Sequence, residues 1–313
     1  AKEYDYLYDQ IVCYGELLST TIVSEYLNDV GISNSWRDAR ELVITDAVFR
    51  DASVNWVETE KHIKTKIDTS ITTIVQGFIA GDLNGNTTTL GREGSDFTAG
   101  IFAYCLDAES LTIWKDVPGV LNADPREFED PQLLEQISYE ETIEMAFYGA
   151  SVIHPKTIKP IQNKKIPLIV RSFKDLNSKG TKVTNKAEMI PHIPCYIVKK
   201  NQVLVSIASL DFSFIVEENI SEIFKLFHKY QLKVNLIQNS AISFSVCLDN
   251  NLNHFDQLFN EMKVLYNVSF VKNVDLFTVR HFTENSLSKI YNLGTSLLSQ
   301  INKNTAQVII QKN

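Results

Sequence analysis

Apolar residues recur at helical spacing along the first thirty positions of the chain. Leu7, Ile11, Tyr14 and Leu18 lie three or four residues apart, with mostly polar residues between them. A repeat of this period places one apolar stripe along the side of a helix. The pattern therefore predicts an amphipathic helix over residues 4–30.

Shorter apolar runs predict the strands of an α/β sheet. Residues 71–79, ITTIVQGFI, are mostly apolar and β-branched, which is typical of a strand buried on both faces of a parallel sheet. A long polar loop and a helical stretch at 97–108 separate this run from a strand at 111–116. Such strand–loop–helix–strand units build α/β sheets, and 166–173 predicts a further buried strand.

The pattern changes at residues 174–195, which are polar and carry Gly180 and two prolines. This composition predicts a surface connection between two domains. After it, residues 203–272 predict the element order βαββαβ, and an abbreviated copy begins at residue 275. The predicted strands lie at 203–209, 233–238, 242–248, 268–272, 275–282, 295–301 and 305–311, and the helices at 220–231, 254–266 and 286–293.

Size and charge agree with this division and narrow the ligand classes. A chain of 313 residues, 44% of them hydrophobic, exceeds the usual single domain. Thirty basic residues against 38 acidic ones leave a net charge of -8, which argues against a large nucleic-acid surface. No apolar run reaches the roughly 18 residues of a membrane span, and the first ten residues are not signal-like. We therefore expect a cytoplasmic protein with small or cationic ligands and no membrane partner.

Cysteines and histidines indicate no metal site. The four cysteines form no CxxC pair, which signals neither a zinc site nor a disulfide framework. We expect reduced, buried thiols at Cys13, Cys105, Cys195 and Cys247. The six histidines are scattered, and His154, which precedes Pro155, is expected to be structural at a helix entry.

The loop TTTLGREGSD is the first candidate for chemistry. Gly91 and Gly94 let backbone N–H groups approach an anion, and the loop opens a predicted helix whose N-terminus favours negative charge. Arg92 offers a bidentate donor for a carboxylate, and Asp96 can position Mg²⁺ or a cationic partner in phosphoryl transfer. The alternative is an ordinary surface loop that contains glycines.

Two further segments carry charged residues in suggestive places. In IWKDVPGVLNADPREF a predicted strand ends where α/β folds bind ligands, so Lys115 and Arg126 can neutralise phosphates while Asp116 accepts hydrogen bonds from a base or ribose. The alternative is a salt-bridged turn. In CYGELLST, Glu16 stands among apolar neighbours and can hold a substrate ammonium group. An exposed helix glutamate is the alternative there.

Together these segments resemble the aspartate kinase family. The resemblance rests on VCYGELLST, TTTLGREGSDFTA, IWKDVPGVLNADPR and YGASVIHPKTI, which follow one another in the family's order. It implies the amino-acid kinase fold, a three-layer α/β sandwich, over residues 1–180, without its N-terminal part. It also implies paired regulatory ACT domains over 195–313. Their first unit would span about 203–272, and their second would combine 194–200 with 275–313.

The resemblance also implies a reaction and the residues that serve it. The γ-phosphoryl group of MgATP would pass to the side-chain carboxylate of L-aspartate and give 4-phospho-L-aspartate, the first committed step toward lysine, threonine and methionine. By motif, Glu16 would bind the substrate ammonium group and Arg92 its α-carboxylate, with Ser95 nearby and Asp96 organising the catalytic charges. The implied ATP-contacting positions are Lys115, Asp116, Leu121, Arg126 and Ser151.

The sequence departs from the family in three places. The family's Lys-Phe-Gly-Gly-Thr-Ser segment, whose lysine neutralises the transferring phosphate, does not precede Ala1. A usual lysine is Ser151 here, and a usual threonine and tyrosine are Lys115 and Leu121. The usual glycine before the first ACT helix is also missing. We therefore expect the chain to be a fragment of a longer enzyme, with negligible turnover by residues 1–313 alone.

Two other function classes stay open at this point. One is a catalytically silent subunit or fragment that senses amino acids. The other is a different amino-acid kinase, acting on glutamate or a nucleotide, although that would not explain the ACT-like repeat or Glu16 in GELLST.

The C-terminal region implies an amino-acid effector. In ACT-containing relatives the segment that corresponds to Asn235, Gln238, Asn239 and Ser240 receives the effector, and here it offers neutral amides and a hydroxyl. Nearby acidic residues make lysine the first candidate and threonine the second, against the alternative of a polar sheet edge without a ligand. We also expect a homodimer formed through the ACT domains.

Overall fold

The fold begins with the long helix that the apolar spacing predicts, α1 (Lys2–Asp29). The face that packs against the protein is the other one: Asp9 and Cys13 are buried, and the Asp9 carboxylate accepts hydrogen bonds from Arg50 N, Thr89 N and Thr89 Oγ1 at 2.9 to 3.0 Å. The predicted apolar stripe lies on the surface, with Ile11 68% exposed. The hydrogen bonds of Asp9 and the packing of Cys13 in a cluster with Ala39 and Ile79 together hold this face of α1.

The computed structural model describes residues 2–150, 153–211, 213–250 and 252–312. Contacts divide the chain into two compact units. The first comprises Ala1–Val120, Leu133–Ala146 and Ser151–Pro191, and the second comprises Leu121–Gln132, Phe147–Ala150 and His192–Asn313. Within the described ranges, no helix combines the length and apolar character that crossing a bilayer requires.

The first unit is a mixed α/β body that contains most of the candidate chemistry. After α1, its elements are β1 (Asn34–Arg37), β2 (Ile44–Thr45), α2 (Trp56–Lys66), β3 (Thr72–Val75), β4 (Ile79–Asp82), β5 (Thr87–Thr89), α3 (Gly94–Cys105), β6 (Leu111–Lys115), β7 (Gln136–Ser138), α4 (Tyr139–Tyr148), α5 (Pro155–Asn163), β8 (Leu168–Ser172) and β9 (Thr181–Thr184). The last two residues of α4 are assigned to the second unit. They form a two-stranded sheet β1–β3, a three-stranded sheet β2–β4–β5 and a four-stranded sheet β6–β8–β9–β7.

The single strand predicted over 71–79 is wrong. The run breaks at Gln76–Phe78 into β3, which is exposed or half-buried, and β4, which is fully buried. Phe78 adopts a left-handed backbone (φ 51°), which interrupts extended structure, and the buried Gln76 carboxamide accepts a hydrogen bond from Ala39 N at 2.7 Å. β3 pairs in parallel with β1, whereas β4 pairs with β2 and β5. The following loop is shorter than predicted, because β5 lies within it.

The four-stranded sheet confirms two predicted strands and corrects the predicted connection. β6 and β8 pair in parallel, with Leu111 opposite Leu168. The polar stretch at 174–195 is not all surface connection, because β9 pairs with both β7 and β8 and contributes the fully buried Val183. Burial alternates along β9, where Thr181 and Val183 are buried and Lys182 is exposed. Three of its four residues are polar, which explains why its composition suggested a linker.

The C-terminal unit confirms the predicted βαββαβ order. Its elements are β10 (Cys195–Ala208), α6 (Glu217–Lys229), β11 (Val234–Asn239), β12 (Ser243–Asp249), α7 (Leu252–Met262), β13 (Asn267–Arg280), α8 (Glu284–Tyr291), β14 (Thr295–Ile301) and β15 (Thr305–Gln311). They form one antiparallel sheet in the order β11–β12–β10–β13–β15–β14. The predicted strands at 268–272 and 275–282 are one continuous strand, β13.

Two long strands join two half-sheets in this unit. The pairing of β10 with β13 is irregular between Lys199 and Val203, so each strand serves one half-sheet before the break and the other after it. One core lies under α6 and α7 and contains Phe227, Phe244 and Phe255. A separate cluster lies beside α8. The predicted division into a first ACT unit over about 203–272 and a second unit built from 194–200 and 275–313 stays a prediction.

Candidate functional site

The half-buried carboxylate of Glu16 and the side chain of Ser95 both lie close to Gly77. The Gly77 N–H donates to Glu16 Oε2 at 3.2 Å. Ser95, in the first turn of α3, lies so close to Gly77 that a Cβ at that position would be 2.6 Å from Ser95 Oγ. The break in the predicted strand thus brings α1 and α3 together, and two of the predicted substrate-binding residues face the same glycine.

Asp96 and Lys115 form an ion pair beside this group. Lys115, the last residue of β6, places its Nζ 2.7 Å from Asp96 Oδ2. The side chains are 30% and 15% exposed, respectively. Because Asp96 directly follows Ser95, a chain of contacts runs from Glu16 through Gly77 and Ser95 to the lysine. Four of the predicted site residues therefore lie around the first turn of α3.

Arg92 lies in the turn that leads into α3 and is exposed. No hydrogen bond or ion pair joins its guanidinium to another described residue. Gly91 has φ +75°, and a Cβ there would lie 2.6 Å from Asp51 Oδ1, so glycine is required at this point of the turn. The loop therefore combines a tight turn at Gly91 with the exposed, cationic side chain of Arg92.

The sequence motifs did not single out Gln76 and Thr98, whose hydrogen bonds lie next to Gly77. The Gln76 side chain is fully buried and donates to Thr20 Oγ1 at 2.8 Å, while Thr98 Oγ1 accepts from Phe78 N at 3.0 Å. A Gln-Gly-Phe triplet inside an otherwise apolar β-branched run was the available signal, since polar and glycine residues mark interruptions of a buried strand.

The predicted nucleotide residues are distributed over both units. Asp116, in the first unit, is exposed. The Pro-Gly turn after it is held in the same unit by a hydrogen bond from Val120 N to Thr181 Oγ1 at 2.8 Å, and Gly119 adopts φ +155°. Leu121 and Arg126 belong to the second unit. Ser151 lies outside the described residues.

In the second unit Arg126 is paired with an aspartate. Its guanidinium is 2.7 Å from Asp124 Oδ2. The pKa of Asp124 is lowered, chiefly because Arg126 donates to its carboxylate. This pair matches the salt-bridged turn that was the alternative for the segment, although an exposed pair of this kind contributes little to stability.

The four predicted effector residues lie at one edge of the C-terminal sheet, but they differ in their surroundings. Gln238, Asn239 and Ser240 are exposed at the end of β11. Asn235 is half-buried and engaged within the unit: Lys199 donates to its Oδ1 at 2.8 Å, and its Nδ2 donates to Gln202 Oε1 and Asp249 Oδ1 at 2.7 and 2.6 Å.

The cysteines are buried, and His154 lies at the start of a helix. All four cysteines lie within the described ranges, are buried and form no disulfide. Burial raises the pKa of the Cys105 and Cys247 thiols to about 12, which keeps them protonated. His154 caps α5, where its Nδ1 accepts from Lys156 N at 3.1 Å. Among the described residues, no cluster of His, Cys, Asp or Glu suits a metal ion.

Comparison with known proteins decides the family. The model of the amino acid kinase family matches residues 2–172, which is more than half of the 313 residues. The chain belongs to the amino acid kinase family. Lysine-sensitive aspartokinase 3 of Escherichia coli is 34% identical over 247 residues, which cover 78% of this chain and 55% of that enzyme. The chain thus spans about half the length of this curated relative.

Solved structures agree with this membership. Crystal structures of E. coli aspartokinase III, one in complex with lysine and aspartate and one with aspartate and ADP, are both 27% identical to the chain. They superpose with TM-scores of 0.79 and 0.78, and each match covers 98% of this chain and 72% of the other. The α/β amino-acid kinase fold is therefore confirmed, as is the resemblance to the aspartate kinases. The sheet-rich C-terminal region is consistent with ACT-like domains.

Proposed function

We propose that this chain acts as an aspartate kinase, which transfers a phosphoryl group from MgATP to the side-chain carboxylate of L-aspartate. The observation that carries the proposal is the group of contacts around the first turn of α3, where Glu16, Ser95, Asp96 and Lys115 follow one another through Gly77. Such a reaction needs a carboxylate that binds the substrate ammonium group and cations that bind the substrate carboxylate and the ATP phosphates. Catalysis then comes from positioning and charge.

The substrate would be oriented by the residues of the first unit. The half-buried Glu16 carboxylate accepts one backbone hydrogen bond and keeps further acceptor capacity for the ammonium group of aspartate. Arg92, which makes no hydrogen bond or ion pair with another described residue, would bind the α-carboxylate in a bidentate manner. Ser95 would contact the substrate, and Asp96 would organise the charges of the reacting groups.

The nucleotide would be bound through its phosphates and its nucleoside. In our proposal Lys115 meets the phosphates and Asp116 the base or ribose, and Leu121, Arg126 and Ser151 stay predicted contacts. Mg²⁺ would be held mainly by ATP, whose charge it neutralises during transfer. The structure of the E. coli relative with aspartate and ADP supports nucleotide use by this chain.

An amino-acid effector would act through the C-terminal unit. Lysine is the first candidate, because the E. coli relative is lysine-sensitive and has been crystallised with lysine and aspartate. In this chain the exposed Gln238, Asn239 and Ser240 at the end of β11 offer neutral hydrogen-bonding groups. Threonine as a second effector and a homodimer formed through this unit stay predictions.

The test of the proposed function is selective binding of L-aspartate. Titration calorimetry of the chain in the presence of ATP should show binding of L-aspartate at least ~10-fold tighter than that of L-glutamate. Glu16→Gln keeps an oxygen for the Gly77 N–H but loses the charge, so aspartate affinity should fall by roughly 10- to 150-fold. Glu25→Gln, at an exposed position on the same helix, is the matched control. Equal binding of both amino acids, or equal behaviour of both variants, would contradict the proposal.

A further inference from the structure

The Lys115–Asp96 ion pair has no other hydrogen-bonding partner on either side among the described residues. Lys115 Nζ contacts Asp96 Oδ2 at 2.7 Å, and neither group makes another side-chain hydrogen bond or ion pair there. An ammonium group has three donors and a carboxylate has about four acceptor sites. Both groups are therefore only partly satisfied by this contact, although both side chains are largely withdrawn from solvent.

A second lysine shows what a fully engaged ion pair looks like in the same unit. Lys164, near the opposite end of α3, donates to Tyr104 O at 2.6 Å and to Asp107 Oδ1 at 2.5 Å, and its Nζ lies 4.2 Å from the Tyr104 ring centroid. Its side chain is 24% exposed, close to the 30% of Lys115. Lys164 thus has several partners that hold it in place, whereas Lys115 has one.

We propose that Lys115 binds the phosphates of ATP and that the Asp96 carboxylate competes with these phosphates for the Lys115 ammonium group. This inference rests on the proposed function and adds a regulating contact to its nucleotide site. Lys115 is the last residue of β6 and Asp96 lies in the first turn of α3, so the ammonium group lies at the strand end where ligands of α/β folds bind. A phosphate can reach the N–H donors that Asp96 leaves free, but phosphate and carboxylate then share one positive charge and repel each other, so each weakens the other's interaction with Lys115.

Competition gives the two partners opposite effects on nucleotide affinity. Lys115→Gln removes the cation, so the affinity for ATP should fall by roughly 10- to 150-fold, the range of a charge-assisted hydrogen bond. Asp96→Asn releases the cation and removes a like charge, so the affinity for ATP should rise by roughly 3- to 10-fold. A lysine with a purely structural role would give neither change. It would lower thermal stability in both variants instead.

The experiment is calorimetric titration of the chain with ATP in EDTA, which keeps divalent ions from bridging Asp96 and phosphate. Wild type, Lys115→Gln, Asp96→Asn and the double variant form a cycle, with Lys164→Gln as the matched control. We expect weaker binding in the first variant, tighter binding in the second, and a smaller gain from Asp96→Asn when Lys115 is absent. Lys164→Gln should bind ATP like the wild type.

The results that would overturn the inference are distinguishable from failure of the nucleotide site itself. If the wild type binds ATP and Lys115→Gln binds it equally well, or if Asp96→Asn weakens binding, the competition is refuted while the nucleotide site stands. If the wild type binds MgATP but no ATP in EDTA, Lys115 is not the cation that holds the phosphates, and this inference fails while the nucleotide site stands. If the wild type binds neither, the proposed nucleotide site and this inference fail together. Melting curves of each variant show whether a loss of binding accompanies a loss of folded protein.

Discussion

Replacing Gly77 by alanine tests whether the contacts around Gly77 are as tight as the structure shows. A Cβ at this position would lie 2.6 Å from Ser95 Oγ, 2.8 Å from Ser95 Cβ and 3.1 Å from Ser95 Cα. The last atom belongs to the backbone of α3, so rotating the serine side chain does not relieve the contact. The first turn of α3 must move away from Gly77, and with it the predicted substrate residues.

The expected cost follows from overpacking. Forcing an additional methyl group into a closely packed site typically costs about 1–3 kcal/mol. For a body of 150 to 250 residues this corresponds to a fall in melting temperature of roughly 2–12 °C. Gly15 is the matched control, because it lies in α1 next to Glu16 and has no atom within 4 Å of its would-be Cβ. Gly15→Ala should stabilise the helix by roughly 0.5–1 kcal/mol.

Thermal unfolding of the two variants, together with Ser95→Gly, provides the assay. Removing the serine side chain eliminates two of the three close contacts, so Gly77→Ala should cost less in the Ser95→Gly background than in the wild type. This non-additivity is the specific sign of contact between the two positions. If Gly77→Ala and Gly15→Ala change the melting temperature alike, or if Gly77→Ala and Ser95→Gly are additive, the packing described here is incorrect.

Two further predictions concern the substrate and the effector. Arg92→Ala should weaken aspartate binding by roughly 2–4 kcal/mol, because a bidentate contact with the α-carboxylate is lost, and should change ATP binding little. Calorimetry measures both affinities. Equal losses for both ligands would indicate a folding defect instead. Lysine at 100 times its Kd should add roughly 2.7 kcal/mol to the free energy of unfolding of the C-terminal unit. If neither lysine nor threonine at millimolar concentration raises the melting temperature, the hypothesis that this unit binds an amino-acid effector is wrong.

Periodic patterns predicted the elements whose burial alternates simply. The helix over residues 4–30, the strand at 111–116 and the order βαββαβ were correct, because each depends on a local repeat of apolar positions. The same rule did not predict which face of α1 would be buried. The buried face contains Asp9, which accepts three hydrogen bonds from residues more than forty positions away. A local apolar repeat does not predict such long-range bonds.

The sequence named the residues of the candidate site but not their arrangement. Motif resemblance named Glu16, Ser95, Asp96 and Lys115, and the structure brings them around Gly77. The strand predicted over 71–79 concealed that junction, since Gln76–Phe78 were included in an apolar run. A buried polar side chain and a left-handed Phe78 make the break favourable only in the folded protein, where Ala39 N and Thr98 Oγ1 supply the hydrogen-bonding partners.

The C-terminal unit shows the same limit for Asn235, with a consequence for the effector segment. The side-chain amide of Asn235 forms hydrogen bonds with Lys199, Gln202 and Asp249, which lie 36, 33 and 14 residues away in the chain. Lys199 pairs within one half-sheet and Gln202 begins the pairing of the other, so Asn235 connects both sides of the irregularity in β10. Replacing Asn235 would leave the amide of the nearly buried Gln202 without one partner, which costs stability whether or not an effector binds. Loss of effector response at Asn235 therefore has to be compared with substitutions at the exposed Gln238 and Asn239, where removal of a side chain affects only a bound ligand.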